Sequence, residues 1–244
     1  MKTYRKILNS RIVLLAILLP CVIFSQEMDS EEIKKNEIGI DLLDFIDGTL
    51  QVSYERSLND HLSINFGVGF KSDGLFKLSG IDGEQIKTND ITYTGFKFVP
   101  EVRYYLNKEA KGELDGFYFG AYVKHNAFQS DFKGVYTNDA QEDFDFLFDT
   151  KLKMTSLGFM IGYKLPLGKR FSLDFLIAGP GVVWHKYKVK NKEDLPDEFY
   201  EDLNEALEDY FDSIDLEFRL SKVQETIDFV LPSFRYGISL GYKF

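Results

Sequence analysis

From Leu231 to the end of the chain, apolar and polar side chains alternate without a break. Pro232, Phe234, Tyr236, Ile238, Leu240, Tyr242 and Phe244 fall on one face, and Ser233, Arg235, Gly237, Ser239, Gly241 and Lys243 on the other. Successive side chains of a strand point to opposite sides, so this is a strand with an apolar stripe backed by a charged, glycine-bearing one. The pattern recurs upstream in Gly48–Leu58, Leu62–Phe70, Thr92–Leu106, Gly116–Phe128, Lys151–Leu165 and Phe171–His185. Gly179-Pro180-Gly181 interrupts the last of these as a bulge would. An eighth strand comes from Glu37–Phe45, where Ile38, Ile40 and Leu42 alternate with Gly39 and Asp41, and a tight turn at Asp47-Gly48 joins it to the next.

The connections alternate as well. Asn59–His61, Asn107–Asp115 and Pro166–Lys169 are short, whereas Ser72–Asp90, Asp131–Thr150 and Lys186–Ile227 are long and polar. Short turns at one rim and long loops at the other are the habit of an up-and-down antiparallel barrel that crosses a membrane. Within the last long loop, residues 191–226, the period changes. Leu195, Phe199, Leu203, Leu207, Phe211 and Ile214 recur every three or four residues, which predicts an amphipathic helix over about 195–214 with Asp194 as its cap. Its apolar face either folds over the barrel mouth as a lid, against Phe144, Phe146 and Phe148, or docks a partner helix-in-groove.

Alternation alone does not say which face points inward, since a soluble, lipocalin-like barrel has the same two faces reversed. Glycine decides the direction. Gly67, Gly69, Gly95, Gly120, Gly158, Gly162, Gly237 and Gly241 all share the polar face, where they make room inside a narrow lumen for long charged side chains. Glu55, Lys97, Glu101, Arg103, Lys124, Lys164, Asp174 and Arg235 are then expected to form an internal charge network. A lumen of eight strands is filled by its own side chains, which argues against a general-diffusion pore. Aromatic girdles are expected at the short-turn rim (Tyr104, Tyr105, Phe117, Tyr163, Phe171, Tyr242, Phe244) and at the other (Phe70, Tyr93, Phe128, Trp184).

The N-terminus points to export. Lys2, Arg5, Lys6 and Arg11 precede the apolar run Ile12–Ile23, with Ser25 at a plausible cleavage point; this reads as a signal peptide over 1–25, followed by a linker over 26–36 and the barrel over 37–244. Cys21, the one cysteine, lies in that signal, so no disulfide or cysteine-based metal site is expected after its removal. A lipoprotein signal is the lesser reading, because Pro20 stands where a small residue is usual. No later apolar run approaches the roughly 18 residues of a spanning helix, so any membrane crossing must be by strands. The chain carries net charge −10, and the segment Asn191–Asp215 holds eleven acids against one lysine. Without a basic cluster, nucleic-acid binding is not expected.

The export signal, the strand Thr49-Leu-Gln-Val-Ser-Tyr-Glu-Arg56, the Leu231–Phe244 ending and the loop asymmetry resemble small outer-membrane β-barrels of the OmpA/OmpX type, and the porin-like barrel families common in Bacteroidota. That resemblance implies an outer-membrane location with outer-membrane lipid as the surrounding partner, and it implies no particular activity. The resulting expectation is an all-β, eight-stranded antiparallel transmembrane barrel with periplasmic turns, acting as a monomer in a structural or surface-binding role. An extracellular protein partner at the acidic loop is the natural addition. Two other readings stand beside it: a lipid-modifying enzyme, whose parts would be His125, His185 and Asp174, and a soluble periplasmic carrier of a hydrophobic ligand. No catalytic set, cofactor motif or metal site is assigned. His61 falls in a short turn, and the acids Asp139, Glu142, Asp143, Asp145 and Asp149 could collect Ca²⁺ through hard oxygen ligands, although acidic loops are more often simply solvated.

Overall fold

A computed structural model of the chain describes residues 34–72, 80, 82–90, 92–106, 114–191, 193, 195–211 and 226–244, with backbone alone for residues 191 and 206–211. The expected signal peptide and most of the linker lie outside these residues. Among the described residues nine strands run in chain order: β1 Asn36–Asp41, β2 Thr49–Ser57, β3 Leu62–Lys71, β4 Ile86–Thr88, β5 Thr94–Tyr105, β6 Gly116–Thr137, β7 Asp143–Leu167, β8 Phe171–Asn191 and β9 Thr226–Lys243. Two described helices accompany them, α1 Leu42–Ile46 and α2 Asp197–Phe211.

Eight of the strands close a ring in the order β6-β5-β3-β2-β1-β9-β8-β7, with β7 returning to β6. Every neighbouring pair in it is antiparallel. The seam joins the two ends of the barrel sequence: Glu37 lies opposite Lys243, and the Phe244 amide donates to the Asn36 carbonyl at 2.9 Å. β4 stands apart from the ring; among the described strands its partner is β6, at Gly134–Tyr136.

The polarity of this ring is the reverse of a soluble barrel's. Large apolar side chains lie on the outside, with Phe159 75% and Phe234 65% exposed, while Glu55 is 3% and Lys164 0% exposed inside. Along β5 the outward row runs from Phe96 to Leu106, and at ~3.4 Å per residue and a tilt of about 40° that is an apolar band of about 26 Å. Inside, glycines allow close approach. At Gly162 a Cβ would overlap the Tyr118 ring, and at Gly241 it would overlap Ser172 and Glu37.

Just before Gly179-Pro180-Gly181, β8 shifts register against both neighbours, between Leu176 and Ala178 against β7 and between Leu176 and Gly179 against β9. Before it Ser172, Asp174 and Leu176 are buried, and after it Val183 and Val189 are. One extra residue exchanges the two faces of a strand. Without it Trp184 would point into the lumen rather than stand 46% exposed on the outer surface.

Three connections differ from expectation. β1 stops at Asp41 instead of running to Phe45, because the Asp41 carboxylate accepts from the amides of Leu43 and Asp44, at 3.0 Å each, and starts the single turn of α1. The Leu42-Leu43 pair already breaks the alternation. The segment Asp131–Thr150 is not an acidic loop but the upper half of a long β6–β7 hairpin, turning at Asn138–Glu142. Phe132, Gly134 and Tyr136 pair with Phe148, Phe146 and Phe144 on one face; the acids between them, which suggest a loop, are the solvated face of these strands. β8 likewise continues to Asn191, and β9 begins at Thr226. Tyr105, expected in the girdle, is buried in the lumen, since its parity is that of Arg103.

Candidate functional site

Two polar and aromatic assemblies stand out, one in the lumen and one above it. The lumenal assembly is built by the inward rows of all eight ring strands. Arg103 on β5 is its hub. One guanidinium nitrogen donates to Glu55 at 2.9 Å and Asp174 at 2.6 Å, and Nε donates to Glu101 at 2.8 Å. Lys164 on β7 donates to Glu37 at 2.7 Å and Glu55 at 2.6 Å. Arg235 on β9 lies 2.6 Å from Glu101.

Neutral donors complete the carboxylates. Ser63 and Tyr105 donate to Glu55 at 2.6 and 2.8 Å, Asn65 to Glu101 at 2.9 Å, Tyr118 to Asp174 at 2.8 Å and Ser172 to Glu37 at 2.8 Å. The Arg103 guanidinium also lies over the Tyr118 ring at 4.6 Å, and Arg235 over Tyr122 at 5.1 Å. Buried charge is tolerable only when paired, and these carboxylates and cations find their partners by crossing the lumen from strand to strand.

Of the eight residues expected in the network, Glu55, Glu101, Arg103, Lys164, Asp174 and Arg235 come together here. Lys97 sits higher and pairs with Asp44 of α1. Lys124 shares the inward face but makes no ion pair among the described residues. Lys71 donates to the Asp47 carbonyl, so α1 and the turn after it are tied down over the upper lumen by inward lysines. At the lower end Lys243 pairs with Asp115, beside buried Leu114. Glu37, Tyr105, Tyr118 and Tyr122 were missed. The parity of Glu37 with Gly39 and Asp41 could have placed it, but its meeting with Lys164, 127 positions away, depends on ring closure.

The second assembly sits on the upper β6–β7 hairpin. The register of β6 and β7 is unbroken from Gly116–Lys164 to Thr137–Asp143, so the face that carries Phe146 and Phe148 continues the lumenal face upward. α2 packs on that face. Phe199, fully buried, lies 5.1 Å from Phe146, 5.2 Å from Tyr136 and 5.9 Å from Phe148, ring centre to ring centre. Leu195, Leu203, Tyr200, Ile86 and Val189 complete the cluster. The Tyr136 hydroxyl donates to Asp202 at 2.6 Å, and burial with this carboxylate raises its pKa above the ordinary value.

Leu195, Phe199 and Leu203 are thus brought together as one face. The side chains of Leu207 and Phe211 and the whole of Ile214 lie outside the described residues, as does Asp194. The described part of the helix runs from Asp197 to Phe211, opening two residues later than expected, with the Phe199 amide donating to the Pro196 carbonyl at 3.2 Å.

The parts of the enzyme reading are not assembled. His125 hydrogen-bonds Thr155 at 2.9 Å on the outer parity of β6, and His185 stacks on Phe229 at 4.5 Å on the inner parity of β8. Asp174 is held by Arg103 and Tyr118 in the lumen. His61 hydrogen-bonds the Tyr105 carbonyl at 2.9 Å and stacks on Tyr104. Asp139, Glu142, Asp143, Asp145 and Asp149 are strung along the hairpin, and among the described residues no three such side chains are grouped to hold a metal ion.

Fold and lumen together define a closed, all-β up-and-down barrel with an apolar exterior and a charged interior. The chain belongs to the family described as "Protein of unknown function (DUF3575)", whose model matches residues 13–220. No curated protein matches it. A solved structure similar to the chain, a major outer membrane protein from Thermus thermophilus, is 17% identical over 87% of this chain and 100% of that one, with a TM-score of 0.31. Among the described residues no helix is long and apolar enough to cross a membrane, which says nothing about crossing by strands.

Proposed function

We propose that the protein is a small, closed outer-membrane β-barrel of the OmpA/OmpX type, exported by a signal peptide cleaved near residue 25. Its role is structural or surface-binding. The observation that carries this reading is the inverted polarity of the ring, with rows of exposed Phe, Leu, Val and Ile outside and paired charges within. A band of about 26 Å matches the ~25 Å apolar belt of such barrels. In water the same surface would be a large aggregation-prone patch. A soluble carrier needs the opposite arrangement, because its ligand would occupy the space held by Arg103 and Lys164.

The short turns and both barrel termini face the periplasm in this reading, and the long hairpin with α2 faces outward. The lumen is blocked by the Arg103 hub, and α1 covers it from above, so the barrel is not a general-diffusion pore. α2 is seated on the lumenal side of the hairpin, which supports a lid whose acidic outer side, with Glu198, Glu201 and Glu205 exposed, is what an extracellular protein partner would meet. The ring leaves no barrel strand unpaired, which suits a monomer. The test is fractionation followed by gel electrophoresis with and without heating. Recovery in the outer-membrane fraction, with a compact unheated band that slows on boiling, is expected. Soluble recovery or the absence of a mobility difference overturns the reading.

A further inference from the structure

The outward rows of β7, β8 and β9 change character at one level. Going up β8, Val182 and Trp184 are followed by Lys186, Lys188 and Lys190; going up β7, Phe159, Leu157 and Thr155 are followed by Lys153 and Lys151. The register sets these lysines side by side, Lys153 opposite Lys186 and Lys151 opposite Lys188. All five are exposed. At ~4.8 Å between strands and about 7 Å between successive outward residues, they form a patch of roughly 5 by 14 Å.

The groups facing this patch are few. Asp228 on β9 approaches Lys186 at 3.7 Å, with both side chains half or more exposed, and Asp149 lies opposite Lys190. Among the described residues Lys151, Lys153, Lys188 and Lys190 have no ion-pair partner. Asp131 on β6 lies opposite Asp149, so five lysines against three aspartates leave a local charge of about +2 on a chain whose net charge is −10. Lysines adjacent in a sheet repel one another, and a patch held this way lowers its energy by taking up anions.

We propose that this patch binds the phosphate groups of anionic lipid headgroups in the membrane leaflet around the upper rim. The inference rests on the outer-membrane reading, because it is the apolar band ending at Leu157, Trp184 and Val230 that sets the lysines at headgroup height. Phosphate oxygens accept strong charge-assisted hydrogen bonds from lysine ammonium groups. The patch is continuous with the lipid-facing surface, so a headgroup reaches it without leaving its own acyl chains. The acidic hairpin above would repel the same lipids, so bound headgroups are confined to this one side of the barrel.

The test is native mass spectrometry of the full chain folded in detergent micelles, titrated with phosphatidic acid or with phosphatidylcholine. Retention of phosphatidic acid over phosphatidylcholine is expected, with the preference reduced at least about tenfold in a K151Q/K153Q/K188Q/K190Q variant. The matching four-arginine variant should keep it, and K87Q/K133Q, which removes two lysines higher up on β4 and β6, should leave it unchanged. Equal retention of both lipids by the unaltered protein, or an unchanged preference in the four-glutamine variant, overturns the proposal. Heat-dependent gel mobility of the same samples separates the two readings. If it persists while the lipid preference is missing, only the headgroup site fails; if it is absent, the barrel reading fails.

Discussion

Replacing Arg103 by methionine removes the hub of the lumen while keeping much of its volume. Three carboxylates lose a cation, and they do not lose it equally. Glu55 keeps Lys164, Ser63 and Tyr105, and Glu101 keeps Arg235 and Asn65, but among the described residues the one hydrogen bond left to Asp174 is from the Tyr118 hydroxyl at 2.8 Å. An uncompensated buried charge of this kind costs about 3–5 kcal/mol. With a urea slope of about 2 kcal/mol per molar, the unfolding midpoint in detergent should fall by about 2 M. The folded fraction is read from the unheated, compact band on a gel at each urea concentration. Asp174→Asn on the Arg103→Met background should restore a part of the loss, since it removes the charge left unpaired. Lys186→Ala, which breaks the exposed 3.7 Å pair with Asp228, sets the comparison at about 0–1 kcal/mol. A shift for Arg103→Met no larger than that of Lys186→Ala would refute the account of the lumen as a set of desolvated, mutually dependent pairs.

Other consequences can be checked independently. Phe199→Ala should cost about 3–5 kcal/mol of helix docking and expose α2 to limited proteolysis, while heat-dependent mobility of the barrel stays intact; a coupled loss of both would make hairpin and barrel one cooperative unit. The raised pKa of Tyr136 means the docked state holds this proton more tightly than the undocked one. Its contribution is therefore complete below about pH 10, the ordinary tyrosine value, and is lost as pH rises through the folded pKa. Near-ultraviolet circular dichroism titrated from about pH 8 to 12 should show aromatic packing lost earlier in the native protein than its barrel, and Tyr136→Phe should lose the tyrosine-linked part of that transition. The same substitution at neutral pH should weaken docking by about 1.5–3 kcal/mol, because it leaves Asp202 without its donor. Gly162→Ala should push the Tyr118 ring off Asp174 and cost about 1–3 kcal/mol, measured by the same urea titration; a neutral outcome would mean the lumen repacks freely.

The outline of the barrel is legible in the chain because a period of two is a property of single strands. Each ring strand announces its two faces in its own residues, and the glycines sharing the polar face indicate which one is crowded. The change of period at Leu195 likewise marks α2 without help from elsewhere. Polar content misled where it was read apart from parity: the acids of Asp131–Thr150 suggested a loop, yet Phe144, Phe146 and Phe148 alternate with them as in any strand. At the other end of the chain, one carboxylate at Asp41 was enough to turn the end of β1 into a helical cap.

What the tertiary structure alone decided is who meets whom. Closing the ring sets Glu37 beside Lys164 and Arg103 among Glu55, Glu101 and Asp174, groups drawn from strands far apart in sequence. Their spacing along each strand says they face inward, but not at what height or against which partner. Lys97, Lys124 and Arg235 all face inward, yet Lys97 pairs with α1, Arg235 reaches Glu101, and Lys124 joins neither. The bulge in β8 belongs to the same category. Gly179 and Pro180 hint at it, but only the shift of register against β7 and β9 fixes which side chains it turns outward. Strand periodicity is local and survives in one dimension; charge pairing across a lumen depends on stagger and closure, which exist only once all eight strands are in place.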